Sequence, residues 1–355
     1  MGVCGLSPRA EVIVSVISYS LCSGSLVLVN KLILHYFPFP SIVVTMQLFA
    51  SIFLIYGANM AGIMEIDKLT MAALKPYLVY TVAFSTGVYT NMMCLNTSNV
   101  ETVIVARALS PLVVSLLDPI FLGRELPSKR SFAALSMIVL GAVGYASTDE
   151  QFISQGLNAY VWPALYLAVI TFEMVYGKKI VKSVEFSTLS GPVQYTNLLG
   201  WPPMILFAQM GGEFDRLKDM VAEYGANSYT GLLFKLPNES LALMVMGCLV
   251  GTGIGYTGWW CRSKVSATSY TLIGVLNKCV TVLVNLMIWD NHAPPSGIMS
   301  LFLCLIGGSF YKQAPMRKED GDEVMKAQAE KDKGPLEKEE TDEENLTKPL
   351  LKTTN

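Results

Sequence analysis

Histidine is almost missing from this chain of 355 residues: only His35 and His292 occur. A zinc or haem centre built on imidazole therefore lacks ligands. Seven cysteines are present, at Cys4, Cys22, Cys94, Cys248, Cys261, Cys279 and Cys304. None has CxxC spacing and most lie inside apolar blocks, the setting of small buried hydrophobes rather than of a metal or redox motif. No GxxxxGK[ST] run occurs, which excludes a P-loop ATP site, and no cofactor is expected. Charge is also scarce, at 15% of residues, where soluble domains carry about a quarter. The bases are scattered among short loops, so the concentrated basic patch that a nucleic acid needs is absent.

What the chain has instead is apolar length, with 52% hydrophobic residues gathered in blocks of the length that crosses a hydrocarbon core of about 30 Å. The reading is an all-α polytopic membrane protein with the lipid bilayer as its solvent. Its ten transmembrane helices fall at about 11–34, 41–62, 76–95, 99–123, 130–148, 159–177, 188–210, 240–259, 266–289 and 296–312. Loops are mostly short, so consecutive helices are expected to pack as antiparallel neighbours. The longest, 211–239, is expected to carry a short interfacial helix. Charge is segregated: residues 319–344 hold 12 of the 28 acids and 4 of the 26 bases. The stretch 313–355 therefore reads as a disordered charged cytosolic tail, outside a transporter domain of residues 1–312.

Bases occupy every second loop: Lys68 and Lys75; Arg124, Lys129 and Arg130; Lys178, Lys179 and Lys182; Arg262 and Lys264; then Lys312, Arg317 and Lys318. The loops 35–40, 96–98, 149–158 and 290–295 have no Lys or Arg. The long loop, with Arg216, Lys218 and Lys235, is the exception. The positive-inside rule then puts both termini in the cytosol. No cleavable-signal pattern or transit peptide is seen, so the first helix is expected to act as an uncleaved anchor. Sequons at Asn96 and Asn238 fall on the lumenal side, close to the membrane; that at Asn345 falls in the tail. An internal echo is also present. Arg107, Asp118, Pro127-Ser128 and Gly144-Tyr145 are matched by Lys278, Asp290, Pro295-Ser296 and Gly308 with Tyr311. Two inverted five-helix repeats, about 11–148 and 159–312, would place a solute site at their interface.

Intramembrane charge is costly and is usually paired, hydrated or used. Lys31, Glu101 and Asp118 lie near helix ends, within reach of the interface. Arg107 and Glu173 lie deeper, as an ion pair between helices or as substrate ligands. Lys278 is mid-span. Tyr270, Gly274 and Lys278 stand at i, i+4 and i+8 on one helix face: an aromatic surface, a gap and a cation, a strip that suits an anionic solute with a ring or sugar. The competing reading is a close-packing glycine beside a lysine paired with Glu or Asp. Tyr19 and Asn30 share a face of the first helix, and Tyr195 and Asn197 precede a break at Gly200-Trp201-Pro202-Pro203. An intramembrane asparagine either meets a nucleobase edge or joins helices.

The run Gly274-Val275-Leu276-Asn277-Lys278 resembles the GALNK signature of Golgi GDP-mannose transporters, with Val275 in place of alanine. Tyr270 matches an aromatic position of the same helix, Tyr19 with Asn30-Lys31 resembles the first-helix pattern, and Gln194-Tyr195-Thr196-Asn197 resembles FYNN. The chain departs from the pattern at Thr196 and at Gly255, where yeast-like members have a serine. The resemblance covers most of residues 11–312. It implies a GDP-mannose, GDP-fucose or GDP-galactose/GMP antiporter of the Golgi membrane, compatible with a homodimer. Asn197 would read guanine, Tyr270, Gly274 and Asn277 would line sugar and ribose, and Lys278 would face the diphosphate. The alternatives are a triose-phosphate or UDP-sugar carrier of the same superfamily, and a membrane transferase using Asp290 and His292.

Overall fold

The computed structural model describes residues 7–121, 124–173, 184, 186–188, 190–265, 267–288 and 293–315. Every regular element among the described residues is a helix. Each of the ten expected spans has one: α1 Pro8–Tyr36, α2 Pro40–Met60, α3 Met71–Thr97, α4 Val100–Ala108 with α5 Ser110–Phe121, α6 Lys129–Ala146, then after α7 Glu150–Gln155 and a 3-10 turn, α8 Val161–Phe172 and α9 Gly191–Met210. The long loop folds into α10 Glu213–Glu223 and α11 Tyr229–Lys235, followed by α12 Asn238–Lys264, α13 Ala267–Ile288 and α14 Pro295–Phe310. Among the described residues, five helical spans are by themselves long and apolar enough to cross a membrane, and a sixth if α6 and residues 150–172, bent by 67°, count as one. Expectations at Asp118 concern a side chain outside the described ones, and Lys178, Lys179, Lys182, Asp290, His292 and the tail from 316 lie outside the described residues.

The chain forms two compact units, Met1–Val114 with Arg130–Tyr311, and Ser115–Lys129 with Lys312–Asn355. In the smaller, Arg124 Nη1 donates to the Ala314 carbonyl at 2.7 Å and the Glu125 amide to that of Pro315 at 3.0 Å. The larger unit holds every site residue considered below.

Local chemistry sets the helix ends. Ser7 accepts from the Ala10 amide ahead of Pro8, and Pro40 and Pro295 open α2 and α14, where a missing N–H costs nothing. The fourth expected span is broken at Leu109 because Pro111 has no N–H for the Arg107 carbonyl. Pro202 and Pro203, by contrast, do not break α9, and beside them the Ser85 hydroxyl of α3 donates to the Gly200 carbonyl at 3.3 Å. At α2 no side chain of its own turn caps the N-terminus. Glu213, 1% exposed, does so from α10, accepting from the Ser41 and Ile42 amides at 3.1 Å and the Ser41 hydroxyl at 2.8 Å.

Sequence neighbours are not the main spatial neighbours, contrary to expectation. The most extensive packing is α1 on α12, α2 on α9 and α3 on α8. A column of glycines on α12 explains this, because small residues let helix backbones approach. A Cβ on Gly247 would lie 2.7 Å from Ile33 of α1 and 2.9 Å from Gln47 of α2, and one on Gly255 2.9 Å from Val193 of α9. The pairings come in matched sets: α3 meets α8 as α12 meets α1, α9 meets α3 as α2 meets α12, and α1 meets α13 as α8 meets α4. Exchanging α1–α4 with α8, α9, α12 and α13 in order turns each of these six contacts into another of the six.

Candidate solute-binding site

Which way the α13 strip faces follows from its exposed residues. Leu276, Val280, Leu283 and Met287 are all exposed and form one lipid-facing stripe. At about 100° per residue, Gly274, Lys278 and Asn285 lie roughly 160–180° from Leu276, facing the bundle. Likewise Tyr19 lies opposite Ile17 and Leu21, which are 53% and 68% exposed. The two inward rings meet: Tyr19 and Tyr270 stack with centroids 5.1 Å apart and planes 22° apart. Gly258 of α12 floors the stack, with its Cβ direction 3.5 Å from Tyr19 and 3.6 Å from the Tyr270 hydroxyl.

One turn beyond the stack, a Cβ on Gly274 would meet nothing within 4 Å among the described residues. Gly274 is therefore not a close-packing glycine; Gly141, whose Cβ would lie 2.6 Å from the Ser300 carbonyl, shows what one looks like. A further turn on stands Lys278, half-buried, with no ion pair among the described residues. The charge acting on it most strongly is another cation, Arg107. Arg107 leaves α4 two residues before the Leu109 break and reaches the Tyr166 hydroxyl of α8 at 3.4 Å. It lies within electrostatic reach of Tyr19 and Glu173, yet keeps an exposed side chain. Arg107 is thus accessible while lying among groups that face the stack. Glu173, just past α8, accepts from the Tyr80 hydroxyl at 3.3 Å. The expected Arg107–Glu173 contact is thus electrostatic, with no ion pair within 4 Å.

Other expected residues lie elsewhere. Asn30 is 7% exposed and accepts from Gln47 Nε2 at 2.8 Å, joining α1 to α2 about 16 Å along the helix from Tyr19. Tyr195, 1% exposed, donates to the Lys68 carbonyl at 3.0 Å and accepts from the Thr70 amide at 3.1 Å. Gln194 and Thr196 are spent similarly, on Tyr56 and Asp67 and on Tyr77, so three of these four side chains fasten the α2–α3 loop and α3 to α9. Asn197 and Asn277 differ: both are buried, and each has an Nδ2 with no hydrogen-bond partner among the described residues. The structure shows no direct contact between either and the tyrosine stack. Gly255, where a serine occurs in the resembled family, has Val193 filling the side-chain position.

A cavity of about 320 Å³ opens farther along the same α13 face, lined by Lys31, His35, Asn96, Asn99 and Asn285. It begins seven residues, about 10 Å, beyond Lys278, and does not coincide with the tyrosine stack. Lys31 there donates to the Leu95 and Ser98 carbonyls at 2.6 and 2.8 Å, capping the end of α3. Sequence reasoning missed Tyr80, Tyr166 and Arg262. Arg262 lies over Trp259 at 5.7 Å and reaches both Tyr80 and Tyr270 electrostatically. Its position in a basic loop gave no sign of this; the tyrosines carried a weak signal as hydroxyls within apolar spans. Asp67, accepting from Ser187 and Thr188, had none.

The sequence profile of the Triose-phosphate Transporter family matches residues 11–312. The chain is 35% identical to "GDP-fucose transporter 1" of Arabidopsis thaliana over 316 residues, covering 89% of each. It is 31% identical to "GDP-mannose transporter GONST3" of the same plant, over 92% of this chain and 85% of that one, and 24% identical to "UDP-galactose/UDP-glucose transporter 7", over 88% and 93%. A crystal structure of a protein with 13% identity superposes with a TM-score of 0.50, covering 84% of this chain and 95% of the other, a likeness of fold alone.

Proposed function

Because this chain belongs to the Triose-phosphate Transporter family, whose members are polytopic membrane transporters and not enzymes, we propose that it carries GDP-mannose, GDP-fucose or GDP-galactose across the Golgi membrane in exchange for GMP. The observation that carries this reading is the pair Lys278 and Arg107: two inward cations, neither in an ion pair among the described residues, beside an aromatic stack and an open gap. Leaving two like charges inside the bundle costs free energy that an anionic solute returns. The relatives named for GDP-fucose and GDP-mannose transport direct the choice of anion.

In this reading Lys278 and Arg107 hold the phosphates, Arg107 offering a planar fork suited to phosphate oxygens. Gly274 leaves room for ribose and sugar, and the Tyr19–Tyr270 stack supplies a flat apolar wall. Asn277 and Asn197 bring amide donors that lack partners among the described residues, each worth about 1–3 kcal/mol when satisfied, to the carbonyl and ring nitrogen of guanine. Asn30 and Tyr195 serve the frame. GDP-sugar and GMP share the nucleoside and the negative charge, so one site serves both in turn. The matched packing of the two halves supports inverted repeats that rock around that site, with ten crossings and both termini cytosolic. The 320 Å³ cavity is then the lumenal mouth of the path.

The test is Lys278→Ala in proteoliposomes, with folding checked by monodisperse elution. GDP-sugar uptake is expected to fall at least a hundredfold. Undiminished uptake by the folded variant overturns the site, and competition by UMP or inorganic phosphate in place of GMP moves the chain to the other branches of the superfamily.

A further inference from the structure

Three charged side chains face the interior around the site, and they do not sum to zero. Lys278 and Arg107 are cations; Glu173 is the single carboxylate among the described residues that acts electrostatically on the phenols and guanidinium surrounding them, reaching Arg107, Tyr166, Tyr80 and Tyr77. It is held there deliberately. The Tyr80 hydroxyl donates to Oε1 at 3.3 Å, and Oε2 fits against Gly87 of α3, where a Cβ would lie only 3.3 Å away. Yet it is not spent on an ion pair within 4 Å among the described residues. A carboxylate placed to neutralise Arg107 for structural reasons would close that distance. One held short of it leaves the guanidinium free and still makes itself felt through the field.

We propose that Glu173 sets the charge of the solute this carrier accepts, opposing any negative charge beyond the two that Lys278 and Arg107 offset. This rests on the Lys278–Arg107 site being the anion site. A GDP-sugar, whose diphosphate is esterified at both ends, and GMP near neutral pH are both dianions and match the two cations. GDP and GTP carry further charge, which Glu173 repels; Arg262, which reaches Tyr80 and Tyr270, is held over Trp259. Glu173 is thus a specificity-determining residue: it keeps free nucleoside diphosphates and triphosphates, which share the guanosine, from occupying a carrier meant for the sugar ester and the monophosphate. For charges about 10 Å apart at an effective dielectric of 20–40, one such repulsion changes affinity roughly fourfold to fifteenfold.

The test uses the full chain in proteoliposomes preloaded with GMP. Inhibition of labelled GDP-mannose and GDP-fucose uptake is measured for external GMP, GDP and GTP, without divalent cations and at constant ionic strength. For the wild type the inhibition constant is expected to rise with each added charge; GDP binding as tightly as GMP overturns the proposal without any variant. In Glu173→Gln the ratio of the GDP to the GMP constant is expected to fall by about fourfold to fifteenfold, while Glu173→Asp keeps most of it. A merely structural role would lower transport and leave that ratio unchanged, and an unchanged ratio in Glu173→Gln overturns the proposal. Lys278→Ala, read by the rise in thermal-unfolding midpoint that GMP gives the purified protein, separates the premises. If GMP stabilises that variant as it does the wild type, the site itself is wrong. If that stabilisation is lost there while Glu173→Gln keeps its inhibition ratio, only the role of Glu173 fails.

Discussion

Gly274 offers the sharpest separation of folding from function. A glycine inside a helix costs about 0.5–1 kcal/mol relative to alanine, and it survives where a backbone must approach something closely. Here no described residue outside the glycine's own helical turn comes within 4 Å of the Cβ direction, which leaves the gap open to a solute. Gly274→Ala is then expected to leave thermal stability in detergent unchanged or raise it by a degree or more. Gly274→Leu projects an isobutyl group into the same gap and should also fold. Overfilling a close-fitting space costs about 1–3 kcal/mol, which at 1.4 kcal/mol per tenfold weakens solute binding about fivefold to 150-fold. The assay pairs a thermal-unfolding midpoint with the KM for GDP-sugar uptake on the same preparation. A midpoint lowered by several degrees in Gly274→Ala, or an unchanged KM in Gly274→Leu, would refute the reasoning.

Three further outcomes follow from the packing. Gly141→Ala drives a methyl group to within 2.6 Å of the Ser300 carbonyl and should destabilise by about 1–3 kcal/mol, read as a lower unfolding midpoint. Glu213→Ala removes the acceptor of two amides and a hydroxyl at the start of α2, a loss of about 2–4 kcal/mol. Glu213→Gln keeps an oxygen there and should lose roughly half as much, with transport by the surviving folded protein unaltered in KM. Gly255→Ser collides with Val193 and should lower stability alone; joined to Val193→Ala it should recover most of the loss, and additive losses in the double variant would show that the two positions are uncoupled.

The helices were legible because hydropathy and alternating basic loops report burial in lipid directly. Their packing was not, since it depends on which small residues face which neighbour: Gly247, Gly255 and Gly258 look alike in sequence, while Gly247 admits α1 and α2, Gly255 admits α9, and Gly258 lies under the Tyr19–Tyr270 stack. The broken fourth span was readable from Pro111 but hidden by an unbroken apolar run, whereas Pro202 and Pro203, read as a break, lie inside a continuous α9. At the site, spacing alone put Tyr270, Gly274 and Lys278 on one face, and the structure aims that face inward. Tyr195 and Asn30 met the same helical spacing, yet their polar atoms are taken up by Lys68, Thr70 and Gln47. One-dimensional periodicity cannot tell a hydroxyl or amide with protein partners from one left for a solute. Arg262 and Asp67 escaped notice because a charged residue in a loop is usually solvated, and only the fold brings one toward Tyr270 and the other onto Thr188.

The measurement bearing most directly on this reading of the chain is counter-flow in proteoliposomes containing the purified full chain, preloaded with GMP and offered labelled GDP-mannose, GDP-fucose and GDP-galactose in parallel. Accumulation of at least one GDP-sugar above its equilibrium level, dependent on internal GMP and abolished by Lys278→Ala, is the predicted result. Accumulation that is as rapid with UMP inside, or that needs no internal nucleotide, would contradict it.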